Sequence, residues 1–177
     1  FQNSSERLTG KQFKNPVIVT NSDYRFIVTE QLQEIGIDPG AILIEPEGRN
    51  TAPAILAAAL FEYQINPDAI LVVAPSDHII NDVNAFQLAI DEAYKVAQDG
   101  QLVTFGIKPT HPETGFGYLE LSKISTAQAV PLKAFVEKPD LTNAEKMFQS
   151  ENFLWNSGIF LFQASDIIEA FKKYSPS

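Results

Sequence analysis

In the stretch 69-AILVVAPSDHIIND-82, a carboxylate and an imidazole, Asp77 and His78, arrive just after six apolar residues, a proline and a serine. Ligands in open α/β sheets sit beyond the carboxyl ends of the strands. An aspartate just past a buried strand is therefore held at that rim, and its carboxylate is a hard oxygen ligand suited to Mg²⁺. On residue type alone, Asp77 equally suits a turn cap and His78 a backbone hydrogen bond. Other groups with chemical potential recur at comparable places along the chain.

In EPEGRNTAPA, Glu45, Arg49 and Asn50 stand just ahead of a predicted helix opening near Thr51. Helix N-termini favour anions through free N–H groups and the dipole. Glu45 would be an odd partner for phosphate, but guanine offers N1–H and a 2-amino group side by side, and a carboxylate accepts both. The plainer reading is a surface Glu45–Arg49 ion pair worth about 0–1 kcal/mol. In AFVEKP, Glu137 can accept from sugar hydroxyls while Lys138 holds phosphate as a point charge. Adjacent strand residues face opposite ways, so both serve one site only if the strand bends, as Pro139 would allow. In Trp155-Asn156-Ser157-Gly158, a polar island between apolar flanks, Asn156 has donors and an acceptor for hydroxyls, and Gly158 permits close backbone approach. The island equally reads as a β-bulge, and Gly115-Phe116-Gly117 as a hairpin turn.

The elements that must position these groups alternate regularly. Apolar runs at 16–20, 41–44, 69–74 and 101–106 read as strands. Between them lie a helix from Ser22 with a stripe of Phe26, Ile27, Leu32 and Ile35, a helix capped by Thr51, and a helix over 84–98 with Phe86, Ile90, Ala93 and Ala97 on one face. This rhythm predicts a Rossmann-like α/β fold, a mostly parallel mixed sheet with helices on both faces. After Gly106 come HPETGFGYLEL, QAVPLKAFVEKP and FLWNSGIFLF, a partly antiparallel continuation, with Thr142–Glu145 as a capping box opening a short helix.

Composition bounds the partners. The 177 residues, 45% hydrophobic, suit one globular domain. A net charge of −9 without a basic block argues against nucleic acid or an anionic membrane surface. No apolar run is long enough to span a membrane, and the polar N-terminus has no signal-peptide pattern. The absence of cysteine excludes a disulfide scaffold and fits a cytoplasmic location. Oligomeric state stays open, a homo-oligomer included.

Together, EPEGRNTAPAI, APSDHII, TFGIKPTHPETGFGYLE, FVEKPD and LWNSGIFLF resemble the mannose-1-phosphate guanylyltransferases, in particular the bacterial type often fused to a mannose-6-phosphate isomerase domain. The resemblance covers essentially the whole chain. It implies a sugar-nucleotidyltransferase (glycosyltransferase-A-like) fold and the conversion of GTP and α-D-mannose 1-phosphate to GDP-mannose and diphosphate. It implies further that Asp77 binds the catalytic Mg²⁺, that Glu45, Arg49, Asn50 and Thr51 contact the nucleotide, and that Gly117, Glu137, Lys138 and Asn156 line the sugar-phosphate site. The catalytic pair would be Asp77 and Lys138. His78 would be structural or support Asp77, since a phosphate dianion needs no general base.

The family's Gly-rich signature, with its first strand, arginine and lysine, has no counterpart here, nor has its second metal-binding aspartate. The expectation is one nucleotidyltransferase domain over 1–177, lacking those parts and inactive alone. Two alternatives remain: a relative with another hexose 1-phosphate or nucleotide, and a non-catalytic nucleotide-sugar sensor.

Overall fold

The computed structural model of the chain describes residues 1–48, 50–124 and 129–175. Two parallel strands, β1 (Val17–Asn21) and β2 (Ala41–Glu45), pair in register from Val17↔Ala41 to Asn21↔Glu45. The crossover between them is α2 (Arg25–Glu34). It starts later than Ser22 because Asn21 Oδ1 accepts the amides of Asp23 and Tyr24 in a turn. Its buried face is Val28 and Leu32, one turn apart; of the expected stripe Leu32 is buried and Ile35 half-buried, whereas Phe26 and Ile27 are 70% and 49% exposed. Phe26 instead lies under the Arg25 guanidinium, 4.2 Å from its ring centroid.

The second sheet is organised by one long strand, β7 (Phe153–Gln163). On one edge it pairs antiparallel with β3 (Ile70–Val73) and, further along, β5 (Tyr118–Leu121); on the other with β4 (Val103–Ile107). β6 (Leu132–Val136) extends the sheet from β5. Since β3 and β4 both oppose β7, they run in a common direction. The mixed α/β architecture thus keeps its parallel character in β1–β2 and in the shared sense of β3 and β4.

Helices cover and join these layers. α3 (Thr51–Ile65) is preceded by Asn50 as its cap residue, and Thr51 is its first helical residue, correcting the expected Thr51 cap. α4 (Val83–Gln98) buries Phe86, Ile90, Ala93 and Ala97, the expected face, against Ile159 and Leu161 of β7. Asp82 caps it through the Ala85 amide at 2.9 Å, and Gly100 (φ +76°) ends it. α5 (Leu141–Gln149) is capped by Asp140, which accepts from the Asn143 amide at 2.8 Å, so Thr142 lies inside the helix and not at its cap. A short α1 (Gln2–Glu6) precedes β1, and α6 (Ala164–Tyr174) packs on α3.

Between β1 and β3 runs a slot of about 760 Å³, bordered by Val17–Thr20 on one side and Ala69–Ala74 on the other. Each strand pairs along one edge only among the described residues. Continuous apolar runs of this kind are typical of strands buried on both faces, yet every residue of β3 and most of β1 is only half-buried.

Candidate functional site

Asp77 sits in the turn that follows β3, at the carboxyl end of the strand, with its side chain 85% exposed. His78 is half-buried, its Nε2 4.0 Å from Asp77 Oδ1. The turn is clamped from α1. Ser4 Oγ lies 3.0 Å from the Ser76 carbonyl and 3.3 Å from that of His78, and Arg7 Nη1 donates to the His78 carbonyl at 2.6 Å. Arg7 Nη2 also donates to Ser4 Oγ at 2.8 Å. The carbonyls of Ser76 and His78, on either side of Asp77, are therefore fixed, and the Asp77 carboxylate faces solvent. Arg7 is 5% exposed, and burial pulls its guanidinium below the usual arginine value. Sequence reasoning gave Ser4 and Arg7 no role, because their partners lie more than 70 positions away.

Thr51 and Gly158 border the same slot as Asp77. Asn50 adopts φ +63° and leaves the first turn of α3 without a side-chain cap, so amides at that N-terminus remain available. Glu45 lies apart. It borders a separate open groove of about 640 Å³ whose other walls include Val19, Leu43, Ile44, Pro53 and Ala57. Arg49 lies outside the described residues.

Gly117, Glu137 and Asn156 do come together. The pairs Tyr118↔Val136 and Tyr118↔Trp155 place Gly117 between Glu137 and Asn156, and the Asn156 amide donates to the Gly117 carbonyl at 2.8 Å. A Cβ at Gly117 would fall 2.9 Å from Glu137 Oε2 and from the Phe135 ring, so the missing side chain is what lets the carboxylate lie there. Lys138 Nζ is 3.8 Å from Glu137 Oε1. The bend expected near Pro139 occurs at Lys138 itself, which adopts φ +44°. The polar island proves to be both a bulge and part of the cluster: opposite Phe105 of β4, strand β7 spends residues 157–159, with Gly158 at φ +70°.

Neighbouring groups that sequence reasoning missed shape the turn before Gly117. Glu113 accepts the Gly115 amide at 2.8 Å and lies 3.4 Å from His111 Nε2. The Gly115 amide, then the His111 contact, hold its carboxyl below the usual glutamate range. His111 and Phe116 meet the Trp155 ring edge-on at 5.0 and 5.2 Å. Among the described residues no three His, Cys, Asp or Glu side chains group as a metal cage, and no helix is long and apolar enough to cross a membrane.

The nucleotidyl transferase family model matches residues 1–177, and the chain belongs to that family. Its relatives are more particular. The chain is 51% identical over 162 residues to the xanthan biosynthesis protein XanB of Xanthomonas campestris, covering 92% of this chain and 34% of that protein. It is 45% identical over 178 residues to the mannose-1-phosphate guanylyltransferase RfbM of Salmonella typhimurium (99% and 37%) and 43% identical over 176 residues to the mannose-1-phosphate guanylyltransferase of Escherichia coli (96% and 37%). It thus spans about a third of the length of these relatives. Among solved structures it superposes on one described as mannose-6-phosphate isomerase from Helicobacter pylori, with a TM-score of 0.89 and 35% identity over 99% of this chain and 66% of that one. A second, described as mannose-1-phosphate geranyltransferase from Thermus thermophilus, gives 0.82 and 29% over 98% and 50%.

Proposed function

We propose that these residues belong to an enzyme that makes GDP-mannose and diphosphate from GTP and α-D-mannose 1-phosphate, and that the cluster at Gly117 is its sugar-phosphate site. The observation that carries this is the meeting of Gly117, just before β5, and Glu137, just after β6, with Asn156 inside β7 at its bulge, and with Lys138 turned beside them. Glu137 accepts from ring hydroxyls, Asn156 adds an amide, and Lys138 neutralises the phosphate. The groove at Glu45 suits a planar base: apolar walls for its faces and a carboxylate for two adjacent donors, the guanine pattern. Thr51, Asn50 and the start of α3, which has no side-chain cap, would meet ribose and phosphate.

The reaction is an in-line attack of the sugar-phosphate oxygen on the α-phosphorus of GTP. It needs positioning and charge neutralisation more than covalent help. Asp77 would hold a divalent metal, Mg²⁺ by the hardness of its ligand, which supplies charge neutralisation at the reacting phosphates. One exposed carboxylate fits this, since Mg²⁺ is commonly held by one or two carboxylates with phosphates and water completing the shell.

The test is a titration of this chain with mannose 1-phosphate, mannose and inorganic phosphate. Binding of mannose 1-phosphate that weakens about tenfold or more in E137Q and in K138A supports the site. No binding, or variants that bind as the parent does, would discard it. A hybrid placing these residues in the Escherichia coli relative tests turnover. There Asp77→Asn is expected to cut metal-dependent GDP-mannose formation at least about a hundredfold, about 2.7 kcal/mol of barrier. A loss within about threefold would remove the metal role from Asp77.

A further inference from the structure

Arg7 directly follows α1, and it is buried although the helix before it, QNSSE, is polar throughout. Burying a guanidinium is costly unless its hydrogens are used. The directions of donation around it are fixed, because arginine has donors and no acceptor. Nη1 gives a hydrogen to the His78 carbonyl at 2.6 Å, and Nη2 gives one to Ser4 Oγ at 2.8 Å. The single Ser4 hydroxyl hydrogen then goes to one carbonyl, and those of Ser76 and His78 lie within reach at 3.0 and 3.3 Å. His78 already has its donor in Arg7, so Ser76, the nearer, is the one left. One guanidinium thus holds the His78 carbonyl directly and the Ser76 carbonyl through Ser4, with Asp77 between them. The same short helix is anchored on two further elements. Gln2 Nε2 donates to the Gln31 carbonyl at 3.0 Å and to Glu34 Oε2 at 2.7 Å, both in α2, the β1–β2 crossover. The Arg7 guanidinium also stands 5.9 Å from the ring centroid of Phe86 in α4.

We propose that Arg7 is a positioning residue for the metal-binding carboxylate, with Ser4 as its relay and α1 as a strut between the β1–β2 layer and the Asp77 turn. Asp77 is exposed, and a carboxylate on a loose turn has to be ordered at the moment a cation binds, which subtracts from affinity. Where the carbonyls on both sides of it are already held, that ordering is complete before the cation arrives. Groups that orient a metal ligand from behind commonly alter metal affinity by about 10- to 100-fold when removed. The fork geometry explains the residue type. A guanidinium presents two nitrogens in one rigid plane, one for each arm of the clamp, whereas a lysine ammonium is a single point on a flexible stem. Arg7 touches neither metal nor substrate in this account; it acts only through the main chain around Asp77. The inference rests on the reading of Asp77 as the metal ligand.

The experiment titrates Mn²⁺, a paramagnetic stand-in for Mg²⁺, into the chain and into R7M, S4A and D77N. The readout is the broadening of the amide signals of residues 76–78, with the amides of β5 and β7 as the control for an intact fold. In the parent the broadening should centre on residues 76–78, and in D77N it should vanish. R7M is expected to need about tenfold more Mn²⁺ for the same broadening, with its β5 and β7 signals in their parental positions. S4A keeps Arg7 on His78 and releases only the Ser76 carbonyl, so it should need about threefold more. R7M that binds Mn²⁺ like the parent overturns the proposal. So does a loss in R7M that comes with displaced β5 and β7 signals and is not reproduced by S4A. Should R7M fail to fold, S4A decides: weaker Mn²⁺ binding in an intact chain supports the clamp, and unchanged binding overturns it. If the parent shows no broadening at residues 76–78, or D77N binds like the parent, the metal reading of Asp77 falls and this inference with it.

Discussion

Asn50 and Lys138 are the non-glycine residues with positive φ among those described, at +63° and +44°. Both are candidate ligand-contacting residues. Left-handed backbone at a side chain with a Cβ costs roughly 1 kcal/mol or more and persists only where surroundings enforce it. At Lys138 this backbone turns consecutive side chains toward one place, which a regular strand forbids. Glycine adopts this conformation freely but gains more freedom in the unfolded chain, so the roughly 1 kcal/mol of strain relieved and the entropic cost nearly cancel. K138G is therefore expected to keep the melting midpoint close to the parent's while weakening mannose 1-phosphate binding. A midpoint lowered by much more than the entropic cost of about 1 kcal/mol would mean that the Lys138 side chain itself holds the turn. Glu113 gives a pH dependence. Its folded pKa lies below its unfolded one, so its contribution is present above the ordinary glutamate value of about 4.3 and is lost as pH falls through the lower folded value. The protection factor of the Gly115 amide, its exchange rate relative to the intrinsic rate at the same pH, should fall over that acidic window, and E113Q should abolish that fall. A protection factor constant with pH in the parent would place the turn's stability elsewhere.

Among the elements, α1 does more than its five residues suggest, because Arg7 and Ser4 hold the two carbonyls that bracket Asp77. Replacing Arg7 by Met keeps much of the packing over Phe86 but leaves a half-buried turn short of its donors. R7M should lower stability by about 2 kcal/mol and loosen residues 76–78, read by denaturant melts and backbone relaxation. Wild-type order at that turn would show that β3 alone positions Asp77. How far such elements can be read from sequence depends on the range of the interactions that define them. The α4 face was legible because Phe86, Ile90, Ala93 and Ala97 repeat at helical spacing and nothing competes. In the α2 stripe Leu32 is buried as its spacing implies, whereas Phe26 and Ile27, apolar by type, are exposed and Val28 is buried in their place. Asp140 rather than Thr142 caps α5, a shift of two residues that capping rules leave open. The positions of Asp77 and Glu137 just after β3 and β6 were legible from where apolar runs stop, whereas Asn156 lies inside β7. The Arg7 clamp and the Thr104–Asn156 contact were not, since they join residues 71 and 52 positions apart.

At the scale of the molecule, the two sheets are bridged by α3 against α6, while β1 and β3 face one another across the slot, each paired along one edge only among the described residues. A bare strand edge is a row of donors and acceptors that any extended chain can read, and apolar edges read one another best. This chain therefore carries a template for strand addition that does not depend on what the slot holds in a longer polypeptide. At −9 the molecules repel, and salt shortens that repulsion to about 8 Å at physiological strength. Raising ionic strength at constant protein concentration should thus drive self-association with a growing β signature, followed by light scattering and infrared absorption. V19K, which sets a charge on the slot wall, should suppress it. Scattering that stays monomeric from low to high salt would show the edges to be shielded. If the association occurs, the purified chain becomes a seed whose growth is governed by the same four-residue run, ILVV, that delivers Asp77 to the rim.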